Sequence, residues 1–394
     1  MFAATRAAGL ARLASFIPKA ADAHYARRRN FDMGPDDRSN VSLLSPYISH
    51  RLVGEWEVVT AVVEAHGYAG AGKFIDEVFW RTYWKGWLQH RPVVWDQYRA
   101  ATDNPVGFDL KPALSKAWDG TTGIACFDAW VQELKEQGYL HNHARMWFAS
   151  IWIFTLKLPW YLGAEFFLRH LIDADAASNT LSWRWVAGLH TQGKTYLAHE
   201  SNIAKFTEGR FPVTPGLAAE ALTSAYATIE PNDLAQPCDQ VMQGRVGVLV
   251  TDMDLAPLVL GASDNVHAVG GLALRGQLTR TEPASPARSF AEAALENSLV
   301  RMGSHFDAQT DLPMRQLEDI IAWAGRHRLD SVVTADLPVG PGASELTQLN
   351  QSLGKSGVTL VRQVRPWDQV CWPHCKKGFF ALRKAIPTIL DTLE

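Results

Sequence analysis

The chain has 394 residues, enough for two domains rather than one. Its 38 Lys and Arg nearly balance 41 Asp and Glu, for a formal net charge of −3. Bulk charge therefore neither requires nor excludes a nucleic-acid partner, since a local basic patch can sit on a neutral whole. Four cysteines, Cys126, Cys238, Cys371 and Cys375, are too few and too scattered for a disulfide framework, which points to a reduced, cytoplasmic protein.

The first segment, 1–24, is rich in arginine and alanine and carries no acid up to Lys19, a composition shared with organellar transit peptides. The preferred reading is an amphipathic N-terminal helix presenting Phe2, Leu10, Leu13 and Phe16 to a core. From Ser45 to Arg210 the pattern is helical. Apolar residues recur at three- and four-residue spacing over Glu55–Glu64, Lys73–Trp87, Phe127–Gln137, Asn142–Lys157 and Ala164–Asp175. Gly67-Tyr-Ala-Gly, Asn104-Pro, Gly120-Thr-Thr-Gly, Gly138 and Pro159 punctuate them. The apolar run Met146–Leu156 is too short to span a bilayer. Twelve of the 15 tryptophans precede residue 190, so the aromatic load sits in this helical part.

After Pro212 the register changes. A linker, 216–243, leads to a strand in Val246-Gly-Val-Leu-Val-Thr and a second at Val266–Leu274. Helices at Ala287–Met302 and Leu312–Arg328 follow. A strand at Ser331–Thr334, a helix at Ser344–Leu353 and a strand at Val358–Val364 continue the alternation. That is the pattern of a smaller α/β domain with a largely parallel sheet, over 244–394.

Three motifs suggest chemistry they do not complete. Gly67-Tyr-Ala-Gly-Ala-Gly72-Lys73 has phosphate-loop spacing, but Phe74 replaces the Mg²⁺-binding hydroxyl and no strand precedes it; a helix-connecting turn is preferred. Asp252 and Asp254 after a buried strand resemble a phosphatase of the haloacid dehalogenase type, yet no downstream acidic pair completes a Mg²⁺ site. Cys371 and Cys375 flank His374, but a second ligand pair is missing and no metal site is assigned.

Three other segments put polar residues among aromatic helices, where buried polar groups need partners. The first is Glu77 with Phe79-Trp80-Arg81-Thr-Tyr83-Trp84, in which a carboxylate, an indole and a guanidinium share one helical face. The second, His141-Asn-His-Ala-Arg145-Met146, opens an apolar helix. The third, Asp173-Ala-Asp175 through Asn179 to Trp183-Arg-Trp185, follows a helix and has small residues that allow close approach of something flat. Taken singly, the first also admits a surface salt-bridge helix, which its aromatic crowding disfavours, the second an ordinary capped helix, and the third a charged pair in a loop.

Together and in order these segments resemble the flavin domain of the photolyase/cryptochrome family. The matched elements are Tyr25 with Arg29-Asn30, Ser42-Leu-Leu44-Ser45-Pro46-Tyr47, Glu77-x-x-Trp80-Arg81, Thr122-Gly123 with Asp128, His141-Asn142-x-x-Arg145-Met146, and Asp173-x-Asp175-x-x-x-Asn179-x-x-x-Trp183. The resemblance implies a mainly α-helical FAD-binding domain of photolyase type over 25–215, ahead of the α/β domain. Photolyases usually place an α/β antenna domain first, so the order here looks permuted, with Arg365–Phe380 as a segment docked on the flavin domain. The resemblance leaves open a second, antenna chromophore.

By position, the resemblance implies that Tyr25, Ser42, Leu44 and Ser45 cradle the FAD phosphates and that Arg81 lies along the cofactor. Arg145 and Asp173 would pair beside the isoalloxazine, Asp175 would lie nearby, and Asn179 would face the flavin N5. For a repair member, the substrate is a cyclobutane pyrimidine dimer flipped out of DNA, and photolyases are themselves a standard example of enzymes that take a base out of the stack. Glu77 would hydrogen-bond or protonate the dimer anion, Asn142 would hold a base edge, and Trp80 and Met146 would pack on it. Asn142 and Met146 favour the cyclobutane over the six-four photoproduct, which calls for histidines there. Trp183 and Trp160 would relay electrons, while the third position of the relay carries Phe108. A rerouted or shortened relay is therefore expected, with Trp147, Trp152, Trp87 or Trp95 as substitutes. The leading expectation is blue-light-driven, FAD-dependent dimer repair with damaged DNA as partner and no membrane. A cryptochrome-type photoreceptor acting on a protein partner is the alternative, and a flavoprotein without photochemistry is the third.

Overall fold

The computed structural model describes residues 2–103, 110–191, 194–221, 228–234, 241–258 and 265–393. Asn104, Phe108 and Cys238 lie outside the described residues. In chain order the helical part comprises α1 (Arg6–Phe16), α2 (Asp22–Arg28), α3 (Ser45–Ser49), α4 (Glu55–Gln89), α5 (Val93–Asp103), α6 (Lys111–Asp119), α7 (Ala125–Gln137), α8 (Asn142–Ser150), α9 (Trp160–His170), α10 (Ala176–Val186) and α11 (Glu200–Phe206). The α/β part follows as β1 (Val246–Thr251), β2 (Val266–Leu272), α12 (Ser285–Phe306), β3 (Gln309–Thr310), α13 (Leu317–Arg326), β4 (Ser331–Ala335), α14 (Pro341–Lys355) and β5 (Thr359–Gln363). The chain closes with α15 (Pro366–Cys371) and α16 (Phe379–Leu393). No helix among the described residues is long and apolar enough to cross a membrane.

Local chemistry accounts for the places where the elements depart from expectation. Backbone dihedrals leave the helical region at Gly67 and Ala71, so α4 is two rods joined at the glycine-rich turn. On α1 the buried face is Gly9, Leu13 and Phe16, spaced four and three apart, while Leu10 falls about 100° away and is exposed. The helix expected over Ala164–Asp175 ends at His170, because Leu171 is extended. That frees Asp173 and Asp175 for other work, and the Asp175 carboxylate caps α10 by accepting from the Ser178 N–H at 2.7 Å. The helix expected from Leu312 begins at Leu317 instead, where Gln316 and Asp319 form a capping box.

All strand pairs are parallel, in the order β3-β2-β1-β4-β5. Every residue of β1 is buried, as its unbroken apolar run requires of a central strand covered on both faces. Alternation sorts its side chains between layers: Val248 and Val250 join Phe290, Leu295 and Leu299 of α12, while Leu249 faces Ile320, Trp323 and Leu346. The first of these layers is continuous with the aromatic core of the helical part, which holds Trp130, Trp147, Trp152 and Trp183. Fully burying one such ring is worth about 1.5–3 kcal/mol.

The end of the chain returns to the helical part. Trp367 packs on Phe79 at 4.9 Å between ring centroids, and its Nε1 donates to Thr82 Oγ1 at 2.9 Å. Gly86 of α4 admits this segment, since a Cβ there would lie 2.7 Å from Cys375 Sγ. Cys371 and Cys375 are buried against α4 while His374 is exposed, so the three do not converge.

A buried charge network ties the three regions together. Arg51, at φ +51° in the left-handed region, reaches Glu55 Oε2 at 3.1 Å, Asp254 Oδ2 at 3.0 Å and Asp368 at 2.8 Å. Lys85 Nζ adds a contact to Glu55 at 3.4 Å, and Arg365 Nη2 one to Asp254 at 2.8 Å. The ion pairs consume Asp254, and the Asp252 carboxylate accepts the N–H groups of Leu274 and Arg275 at 2.8 and 3.0 Å. Asp254 is therefore engaged in joining the domains, and Asp252 in holding the turn after β2.

Arg51→Met would leave Glu55, Asp254 and Asp368 sharing only two cations. It should destabilise the fold by about 3–5 kcal/mol, measured by denaturant unfolding. Acid provides a second check. Burial alone would raise the carboxyls of Glu55 and Asp254, but the Arg51 and Lys85 charges hold Glu55 at about 2, and those of Arg365 and Arg51 hold Asp254 at about 2. Both folded values lie below the unfolded value of about 4, so their contribution is full above that value and is lost as pH falls toward 2. Tryptophan fluorescence should report cooperative loosening over that window, with a shallower transition in Asp254→Asn.

Candidate functional site

The polar residues of the ordered motifs converge where α2, α3, α4, α8 and the α9–α10 connection meet. Arg145, in the first turn of α8, donates from Nη2 to Asp173 Oδ2 at 2.9 Å and from Nε to the Leu140 carbonyl at 3.0 Å. Asp173 is buried. Burial pushes its carboxyl up, but the Arg145 and Arg81 guanidiniums and the Ser45 hydroxyl outweigh that and hold it below its ordinary value. Arg81, on α4, is ion-paired with Asp175. Two arginines from separate helices thus pin the two carboxylates that the end of α9 leaves in the connection.

Asn179 lies one turn into α10 and is buried; its Nδ2 donates to the Ala164 carbonyl at 2.9 Å. With the amide nitrogen committed to α9, Oδ1 is the atom left to accept a proton donor. Asp173 Oδ1 and Ser178 Oγ are buried without partners. A buried acceptor left unmade costs about 1–3 kcal/mol, so this ring of polar atoms suits a ligand carrying N–H or O–H groups.

Tyr25 lies on α2, and Ser42, Leu44 and Ser45 lie at or just before the start of α3. The Tyr25 ring packs edge-on against Phe16 and Phe74, and burial pushes its phenol up. Ser42 Oγ accepts from the Leu44 N–H at 3.3 Å, and Leu44 is buried at the start of α3. Glu77 is ion-paired with Arg29. Burial raises the Glu77 carboxyl, and the opposing Arg29 charge does not fully offset it. The Arg29 carbonyl lies 3.0 Å from His141 Nε2, which ties the end of α2 to the start of α8. Asn142 is exposed there, and Met146 is half-buried.

Trp80 is half-buried, and one face of its indole is covered: Phe379 stacks on it at 4.0 Å and 11°. Arg383, one turn further along α16, pairs with Asp76 at 2.9 Å. The expected docking of Arg365–Phe380 on the helical part names neither Trp80 nor Asp76 as a partner, because these contacts leave no local signal. Arg29 lies inside a matched motif, but only its pairing with Glu77 gives it a role.

Trp183 is buried against Phe167 at 5.1 Å and Trp152 at 6.1 Å between ring centroids. Gly163 of α9 permits this packing, because a Cβ there would overlap the Trp183 ring. Trp160, one turn before Gly163, neighbours Tyr98 at 5.9 Å. A crevice opens between the helical part and the carboxyl ends of β1, β2 and β4, lined among others by Lys85, Asp175, Asp252, Arg275 and Gly340.

Residues 74–209 match the family model described as the FAD binding domain of DNA photolyase. The deoxyribodipyrimidine photo-lyase of Streptomyces griseus is 35% identical over 166 residues, which cover 41% of this chain and 36% of that protein. The deoxyribodipyrimidine photo-lyase of Escherichia coli (strain K12) is 31% identical over 204 residues, covering 48% of this chain and 40% of that one. Among solved structures, a bacterial class III photolyase from Agrobacterium tumefaciens is 27% identical with a TM-score of 0.43, covering 51% of this chain and 42% of that chain. The chain spans about two fifths of the length of these curated relatives. Over residues 74–209, this chain is therefore similar to the FAD binding domain of DNA photolyase.

Proposed function

We propose that the chain binds FAD within the helical part and uses it for blue-light-driven repair of cyclobutane pyrimidine dimers in DNA. The observation that carries the flavin reading is the two unpartnered buried atoms, Asp173 Oδ1 and Ser178 Oγ, set beside the oriented Asn179 amide. Arg145, Asp173, Asp175 and Asn179 would hold the isoalloxazine. Tyr25, Ser42, Leu44 and Ser45 would hold the phosphates, with Arg81 along the cofactor. When bound, the reduced flavin supplies the photoexcited electron that opens the dimer.

The rest of the work falls to the chain's own side chains. Glu77, whose carboxyl burial pushes up, is suited to keep or donate a proton toward a dimer anion. Exposed Asn142 would hold a base edge, and Met146 and the uncovered face of Trp80 would pack on the splayed base. The crevice at β1 and β4, where the strand order reverses direction, is the proposed seat of the second, antenna chromophore. One observation favours the photoreceptor reading: Phe379 takes one face of Trp80 and so halves the indole surface offered to a base.

The purified chain should carry flavin absorbance, and its absence would end both readings. Under blue light with reducing agent, ultraviolet-damaged oligonucleotide should lose its dimers; intact flavin photoreduction without dimer loss would select the photoreceptor. Glu77→Gln should retain flavin and slow repair by about 100-fold, within the range for a positioned proton donor. Trp80→Ala should weaken binding of dimer-containing single strands by about 1–3 kcal/mol, read by fluorescence anisotropy.

A further inference from the structure

Trp160, which the family resemblance makes the second relay tryptophan, has an aromatic neighbour on α5. The Trp160 and Tyr98 rings lie 5.9 Å apart at 36°, and Tyr98 on α5 is almost wholly buried. The Tyr98 hydroxyl donates to Glu165 Oε2 at 2.7 Å. Glu165 is itself held in place, because its other oxygen accepts the Arg280 N–H from the loop that precedes α12. Burial and the facing Glu165 charge raise the Tyr98 phenol well above its ordinary value, so it does not ionise by itself. It is therefore a neutral phenol hydrogen-bonded to a carboxylate, next to a tryptophan.

We propose that Tyr98, with Glu165 as its proton acceptor, is the outer redox-active residue of a Trp183–Trp160–Tyr98 relay. It stands in for a third tryptophan, whose position carries Phe108. The inference rests on the flavin reading above, which supplies the oxidant. With flavin bound and excited, Trp183 would supply it one electron, and Trp160 would refill Trp183. Tyr98 then gives one electron to oxidised Trp160 as its O–H bond breaks, and the proton passes to Glu165 Oε2. The products are a neutral phenoxyl at Tyr98 and a neutral carboxyl at Glu165. A soluble thiol returns the electron, and Glu165 returns the proton.

Two guanidiniums make Tyr98 the resting point. The Arg184 guanidinium lies 5.8 Å from the Trp160 ring centre, and that of Arg99 lies 5.8 Å from the Trp95 ring centre. A positive charge over an indole disfavours its oxidised, cationic form. Trp95, although 5.1 Å from Tyr98, is thereby a poor onward station. Oxidised Tyr98 escapes this penalty, because proton loss leaves it neutral. Glu165 is a positioning residue in this scheme as well as the proton acceptor.

The test uses the full chain in two states. After a blue-light flash on flavin-loaded protein, transient absorption and electron paramagnetic resonance should show a neutral tyrosyl radical, formed more slowly in D₂O. Tyr98→Phe keeps the ring and its packing and should leave the hole on tryptophan. Glu165→Gln keeps the hydrogen bond but takes no proton, and should slow tyrosyl formation by about 100-fold. In flavin-free protein, pulse radiolysis with azide radical oxidises tryptophan directly, and the hole should pass to tyrosine in the wild type but not in Tyr98→Phe. Unchanged tyrosyl yield in Tyr98→Phe, or an unchanged rate in Glu165→Gln, overturns the proposal. Because the second arm needs no flavin, loss of the flavin reading alone remains distinguishable from failure of the relay.

Discussion

The arrangement of this molecule depends on Arg51. Its guanidinium makes ion pairs with Glu55 from α4, Asp254 after β1 and Asp368 in α15, so one side chain joins the helical part, the parallel sheet and the returning end of the chain. Lys85 and Arg365 bring the network to three cations and three carboxylates, all buried. Moving such charges out of water is costly, and the cost is offset only when every partner is in place. The geometry is correspondingly specific: a left-handed backbone at Arg51 costs about 1–2 kcal/mol on its own and is tolerated because it aims three donors at three carboxylates. Such a junction adds little net stability over an apolar one, but it admits few alternative dockings.

What the junction fixes is the relation of two chemically different halves. The helical part is a dense aromatic core in which two arginine–carboxylate pairs and one oriented amide form a polar ring. The α/β part presses α12 against it through a continuous apolar layer. The returning α15 and α16 then complete the surface of α4, with Trp367 under Phe79 and Phe379 on Trp80. The same loop that precedes α12 reaches back to hold Glu165. The α/β part therefore shapes the helical site at two places remote from its own crevice.

The sites most exposed to competing readings are resolved by partners rather than by residue type. Asp252 and Asp254 follow a buried strand as a phosphatase's carboxylates would, yet backbone N–H groups and two arginines occupy them. Gly67–Lys73 has the spacing of a phosphate loop, yet it is the kink within α4. In each case the motif records a local geometry that several folds share.

Periodicity alone determined the helical first half, the parallel α/β second half and the faces of most elements, because the side-chain repeats of helix and strand are local properties. The ordered motifs at Tyr25, Ser42–Ser45, Glu77–Arg81, His141–Met146 and Asp173–Trp183 likewise marked the polar ring, since each lies on a single short stretch of backbone. The tertiary structure decided what no local signal carries: that Arg51 meets Asp368, that Phe379 stacks on Trp80, and that Tyr98 donates to Glu165. These contacts join residues far apart in the chain, and their partners are ordinary residue types that take on meaning only when folding brings them within hydrogen-bonding or stacking distance.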